Sequence, residues 1–166
     1  SISNRFSVEA IEEIYEGIFL ACENYDVDLV GGDTTSSVSG LYISVTVIGE
    51  AEKDKIVYRS TAGEGDLIFV SGDLGAAYAG LLLLEREKKV FEADPEMQPD
   101  LEGNDYILSR QLKPEARTDI QKLLDDNKIM PTSMIDISDG LASDILHICS
   151  DSGLGCSIYE EKIPID

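Results

Sequence analysis

The feature that most constrains the fold is residues 134–141, an apolar strand that runs into two carboxylates and a hydroxyl where a helix begins. Side chains alternate across a strand, so Ile135 and Ile137 would lie on one face and Asp136 and Ser138 on the other. Asp139 follows in the turn where the next helix begins. Two carboxylates and a hydroxyl are therefore predicted at one end of a strand.

These oxygen ligands favour a site for Mg²⁺ and phosphate. Hard oxygen donors without His or Cys favour Mg²⁺ over zinc or copper, and Mg²⁺ usually bridges one or two carboxylates to substrate phosphates. The alternative is that Asp139 caps the helix and Asp136 is a solvated strand residue. This segment alone does not decide between the two interpretations.

A second segment, residues 27–35, repeats the pattern of an acid and a hydroxyl at a strand end. A short apolar strand is followed by two glycines, Asp33 and two threonines. The glycines would let the backbone approach a ligand closely. A Gly-Gly turn with an Asx or Thr cap is the alternative. Two such segments in one chain favour the binding-site interpretation.

Several segments together carry a resemblance to a known family. They are residues 29–35, 45–49, 59–66, 70–75 and 80–81, Pro114 with Arg117, and residues 134–141. Residues 32–35 and 135–141 are the specific ones, because sister families vary there. The chain resembles thiamine-monophosphate kinase, of the superfamily that includes aminoimidazole ribonucleotide synthetase. The resemblance implies an α+β (mixed α/β) fold with the two-domain architecture of that synthetase, here a central fragment truncated at both ends.

The resemblance also implies a reaction and a set of site residues. The reaction is ATP-dependent phosphorylation of thiamine monophosphate to thiamine diphosphate, by direct in-line transfer with Mg²⁺. The implied metal ligands are Asp33, Asp136 and Asp139, and the implied nucleotide-binding residues are Gly32, Asp33, Arg59 and Ser138. A surface salt bridge is the alternative role for Arg59. No residue is assigned as a general base.

A polar stretch near residue 53 predicts a domain boundary. The resemblance implies that residues 1–52 are the C-terminal part of an N-terminal domain that binds ATP and Mg²⁺ and dimerises. Residues 53–166 would be most of a C-terminal α/β domain, incomplete at its end. The full-length protein is expected to be a homodimer, and this chain alone is expected to be inactive.

Secondary structure follows from the spacing of apolar residues. Helices are predicted at 8–25, 76–90, 106–112, 117–126 and after Gly140. Strands are predicted at 27–30, 41–49, 56–58, 67–71 and 134–137.

The charge balance limits the partners. Lys and Arg number 13 against 33 Asp and Glu, a net charge of −20, which repels nucleic acid and anionic membranes. A polyanion such as ATP would then need bound cations. No apolar run reaches the length of a membrane span, and a cytoplasmic location is expected.

Two other functions stay open: a sister ATP-dependent synthetase of the purine-biosynthesis type, and a noncatalytic nucleotide-binding or dimerisation module.

Overall fold

The computed structural model describes residues 1–165, and the chain divides into two compact units, Ser1–Glu50 and Ala51–Asp166. The helices are α1 (Val8–Tyr25), α2 (Ala76–Ala93), α3 (Asp105–Leu112), α4 (Thr118–Asp126) and α5 (Leu141–Ser152), with short 3₁₀ turns at Lys53–Lys55 and Glu160–Lys162. The five predicted α-helices are confirmed, with ends that differ by a few residues. The two 3₁₀ turns were not predicted.

The first unit is organised around α1 and the amino-terminal residues. The Ser7 hydroxyl caps α1 by accepting a hydrogen bond from the Ala10 N–H at 3.2 Å. Ile2 donates to the Thr35 carbonyl at 2.9 Å and accepts from the Ser37 N–H at 2.8 Å. Residues 1–3 therefore fix the end of the Gly-Gly-Asp segment.

In the second unit, α2 and α3 pack against each other. Their closest approach is at Gly80, where an added Cβ would overlap the carbonyl oxygen of Ile107. Gly80 is therefore a packing glycine. Among the described residues, the buried apolar side chains come from α2 and α5: Ala76, Leu83, Ile145 and Cys149.

The segments predicted as strands lie outside the helices. Within residues 1–165, isolated β-bridges pair Ile2 with Ser36 and with Leu41, and Leu74 with Ile165. The strand assignments stay predictions.

Backbone and side-chain hydrogen bonds join residues 58–66 to residues 132–134. The Met134 N–H donates to the Tyr58 carbonyl at 3.4 Å, and the Thr61 hydroxyl donates to the Thr132 carbonyl at 2.5 Å. The Thr132 hydroxyl in turn donates to Asp66 Oδ2 at 2.6 Å. The start of the acid-containing segment is thereby attached to the segment that carries Arg59.

Candidate functional site

The segment with the predicted metal ligands leads into the N-terminus of α5. Gly140 is the N-cap residue, with a φ of 123° that L side chains rarely adopt. Asp136, Ser138 and Asp139 are all exposed. The segment therefore presents two carboxylates and a hydroxyl to solvent just before the helix begins.

Asp139 does not cap the helix. The N-cap of α5 makes no side-chain hydrogen bond, so the alternative interpretation of Asp139 is wrong. A carboxylate of the helix instead binds the backbone that precedes it. Asp144 Oδ2 accepts hydrogen bonds from the N–H groups of Ser138, Asp139 and Gly140, at 3.1, 3.2 and 3.1 Å.

Asp144 is buried, with 4% of its surface exposed. Buried carboxylates are stable only when hydrogen-bonded or paired, and three N–H donors meet that requirement. The sequence analysis did not identify this residue. An acid in the first turn of a helix is common, because its negative charge interacts favourably with the positive end of the helix dipole. The available signal was Gly140, whose N-cap position has no side chain to satisfy the free N–H groups nearby.

The donor set matches Mg²⁺ in its chemistry. Carboxylate and hydroxyl oxygens are the ligands that Mg²⁺ prefers, and Mg²⁺ often binds through one or two carboxylates while keeping several waters. Within residues 1–165, no group of three or more His, Cys, Asp or Glu side chains is arranged to hold a metal ion. Asp136 and Asp139 are the carboxylates of this segment that would hold the ion.

The other predicted site residues of the Gly-Gly-Asp segment lie in the first unit. Asp33 is exposed. A Cβ added at Gly31 or Gly32 would meet nothing within 4 Å, and neither glycine has a positive φ. Within the described residues, neither packing nor a left-handed turn explains the two glycines. The role of Gly32 in nucleotide binding stays a prediction.

Arg59 forms an ion pair. Its Nε lies 2.6 Å from Asp151 Oδ2 near the C-terminal end of α5, and 54% of the arginine side chain is exposed. The neighbouring Ser152 hydroxyl accepts from the Ala62 N–H at 3.2 Å. An α-helix rises about 1.5 Å per residue, so Arg59 is anchored roughly 16 Å along α5 from Gly140. Arg59 and Ser138 are therefore associated with opposite ends of the helix.

Arg117 lines a cavity of about 270 Å³ together with Arg110 and Lys113. Arg117 donates two hydrogen bonds of 2.9 Å to the carboxylate of Asp119, which hold the pKa of that carboxyl below its usual value. The Nε of Arg110 lies 3.9 Å from Asp73 Oδ1. At that distance the two atoms form no hydrogen bond, and within the described residues both are buried without another partner. No function is assigned to the cavity.

Comparison with protein families agrees with the sequence pattern in both units. The family described as AIR synthase related protein, N-terminal domain, matches residues 1–51, and AIR synthase related protein, C-terminal domain, matches residues 63–166. The chain belongs to the AIR synthase related protein family. The α+β fold class with AIR synthase-like N- and C-terminal domains is thereby confirmed.

Curated members of the AIR synthase related family include close relatives of the chain. The thiamine-monophosphate kinase of Bacillus subtilis (strain 168) is 34% identical over 99% of the chain and 48% of the relative. The thiamine-monophosphate kinase of Aquifex aeolicus (strain VF5) is 39% identical over 95% of the chain and 47% of the relative. That of Escherichia coli (strain K12) is 33% identical over 93% of the chain and 43% of the relative. The resemblance to thiamine-monophosphate kinases is confirmed.

The chain spans about half the length of the curated relatives it matches. No solved structure gives a significant match. Across residues 1–165, every helix is too short or too polar to cross a membrane.

Proposed function

We propose that the full-length protein transfers a phosphoryl group from ATP to thiamine monophosphate and so forms thiamine diphosphate. The observation that carries the proposal is the exposed set Asp136, Ser138 and Asp139, displayed before α5 on a segment held by a buried carboxylate. Support comes from relatives that bear the name thiamine-monophosphate kinase and match nearly the whole chain.

Each site residue has a distinct role in this proposal. Asp136 and Asp139 of the second unit would hold Mg²⁺, which when bound neutralises charge at the transferring phosphoryl group. Asp33 of the first unit is proposed separately as a metal ligand. Gly32 would allow close approach of the nucleotide, and the Ser138 hydroxyl would donate a hydrogen bond to phosphate. These residues hold the reactants for direct in-line transfer, so the rate enhancement comes from positioning rather than from a general base.

Arg59 would bind ATP through the planar fork of its guanidinium group. Its ion pair with Asp151 uses Nε, and more than half of the side chain is exposed. A bidentate contact with phosphate requires two N–H groups of the fork, and the Nη groups would supply them. Because Arg59 and Ser138 belong to opposite ends of α5, the two residues would contact different parts of the nucleotide.

The test is turnover by the full-length protein. Incubation with ATP, Mg²⁺ and thiamine monophosphate should yield thiamine diphosphate and ADP in equal amounts, separated by chromatography. A parallel reaction with a formylglycinamidine substrate should yield no ADP above a blank. Absence of thiamine diphosphate under conditions that bind ATP would contradict the proposal.

Two other functions are distinguished by the same assay. The family name AIR synthase related favours a second candidate, ATP activation of an amide or formyl oxygen, and ADP release only with formylglycinamidine would support it. Nucleotide binding without turnover would support a noncatalytic module. The homodimer, the cytoplasmic location and the inactivity of the 166-residue chain by itself stay predictions.

A further inference from the structure

The buried carboxylate of Asp144 binds backbone groups outside its own helix. A first-turn acid ordinarily stabilises the N–H groups of that first turn. Here one oxygen, Oδ2, receives N–H groups from three consecutive residues, all of which precede Leu141. The Asp144 N–H also donates to the Gly140 carbonyl at 3.0 Å, so backbone and side chain hold the same segment.

The three bound residues are the ones that present the proposed ligands. Ser138 and Asp139 have exposed side chains but N–H groups that point at a carboxylate beneath them. Three bonds to one atom leave the backbone of residues 138–140 little freedom to rotate. The directions in which the Ser138 hydroxyl and the Asp139 carboxylate project are therefore set by Asp144.

The same contacts change what the segment offers to a ligand. Successive N–H groups before a helix ordinarily form a binding site for phosphate. In this chain an internal carboxylate already accepts those hydrogen bonds, so the segment offers side-chain oxygens to a ligand and its N–H groups are engaged. An arrangement of this kind is suited to a cation rather than to a bare anion.

We propose that Asp144 is a positioning residue, which orients Ser138 and Asp139 towards Mg²⁺ and nucleotide without touching either. The proposal rests on the proposed function for its kinetic consequence. Residues that orient metal ligands from behind typically change metal affinity or activity by about 10–100-fold when they are substituted. An effect of that size is expected at Asp144.

The first test needs no catalysis. Hydrogen exchange of the full-length protein should show protected N–H groups at residues 138–140, and Asp144→Asn should speed their exchange at least about tenfold while α2 stays unchanged. Asp144→Ala should speed it further, because asparagine keeps one carbonyl acceptor. The matched control is Asp126→Asn, an exposed acid at the end of α4. Unprotected N–H groups at 138–140 in the unsubstituted protein would overturn the proposal even if both variants failed to fold.

The second test separates positioning from simple stabilisation. Mn²⁺, used as a probe for Mg²⁺, should bind Asp144→Asn about 10–100-fold more weakly, and the apparent Mg²⁺ constant of turnover should rise by a similar factor. The KM for thiamine monophosphate should stay unchanged, and Asp126→Asn should match the unsubstituted protein. Faster exchange at 138–140 with an unchanged Mn²⁺ affinity would make Asp144 merely structural and overturn the proposal.

The two proposals fail in different ways. If the unsubstituted protein forms no thiamine diphosphate, the proposed function fails, while Mn²⁺ binding and hydrogen exchange still decide the role of Asp144. If turnover is normal and Asp144→Asn binds Mn²⁺ as tightly as before, the proposed function stands and the positioning role fails.

Discussion

Gly80 of α2 lies directly against the backbone carbonyl of Ile107 in α3, with no room for a side chain between them. The two helices approach closely because one of them has no Cβ at the contact. Backbone atoms of a helix cannot move aside as a flexible side chain can, so the contact fixes the separation of α2 and α3.

Substituting Gly80 with alanine should destabilise the protein. Alanine favours a helix over glycine by about 1 kcal/mol, but forcing extra volume into a packed contact typically costs about 1–3 kcal/mol. The net free energy of unfolding should fall, as measured by urea denaturation. Gly17→Ala is the matched control, since a Cβ at that position in α1 meets nothing within 4 Å and should raise stability. Equal stability of the two variants would disprove the close packing.

Asp139→Asn should abolish most turnover of the full-length protein while leaving it folded. Charge stabilisation by a bound metal ion supplies several kcal/mol, so the loss of one ligand should lower kcat by orders of magnitude. Thermal unfolding should stay close to that of the unsubstituted protein, because the Asp139 side chain is exposed and does not cap α5. Asp126→Asn should keep full activity. Near-normal turnover in Asp139→Asn would contradict the assignment of Asp139 as a metal ligand.

Arg59→Lys should raise the apparent ATP constant, because a point charge cannot reproduce the bidentate geometry of a guanidinium group. Asp151→Asn tests the alternative role of Arg59, the ion pair with Asp151. This variant removes the ion pair and keeps the arginine. Its free energy of unfolding should change by only about 0–1 kcal/mol, because an exposed ion pair contributes little to stability. If the apparent ATP constant stays the same in both Arg59→Lys and Arg59→Ala, Arg59 does not bind ATP and its role is limited to the ion pair.

Asp66 should make the protein more stable at neutral pH than in acid. The Thr132 hydroxyl, and after it the Gly63 N–H, lower the pKa of Asp66 below its ordinary value of 3.8. A lowered pKa in the folded state means that this stabilisation is complete above 3.8 and is lost as the pH falls through the lower, folded value.

Thr132→Val removes the larger of these two hydrogen bonds and is the variant to compare. It should be less stable than the unsubstituted protein at about pH 7, and the difference should shrink as the pH approaches about 2. Thermal unfolding across that range is the measurement, with Asp126→Asn as the control. A difference that stayed constant with pH would show that Asp66 is not the acceptor that matters.

The helices could be predicted because their signals are local. Ser7 supplies a cap, Gly140 permits the turn before α5, and apolar spacing fixes each helical face. The exposed oxygen-bearing side chains of Asp136, Ser138 and Asp139 could be located for the same reason, and their roles as ligands stay predictions. These features depend on residues that are neighbours in the sequence.

Contacts between distant segments could not be predicted in this way. The pairing of Arg59 with Asp151 joins residues 92 positions apart, and no spacing rule selects one acid from among 33 as the partner. Asp144 was missed for a different reason. It lies beside Ile145 on a helix, and only three-dimensional geometry reveals that its side chain turns back towards residues 138–140.

Helix α5 is held at both ends by side chains. Asp144 ties its first turn to residues 138–140, and Asp151 and Ser152 tie its last turn to residues 59–62. The same two segments are also joined directly, because residues 58–66 form hydrogen bonds with residues 132–134. Any shift of residues 138–140 would therefore reach the loop that carries Arg59 by two routes, through the helix and through these hydrogen bonds.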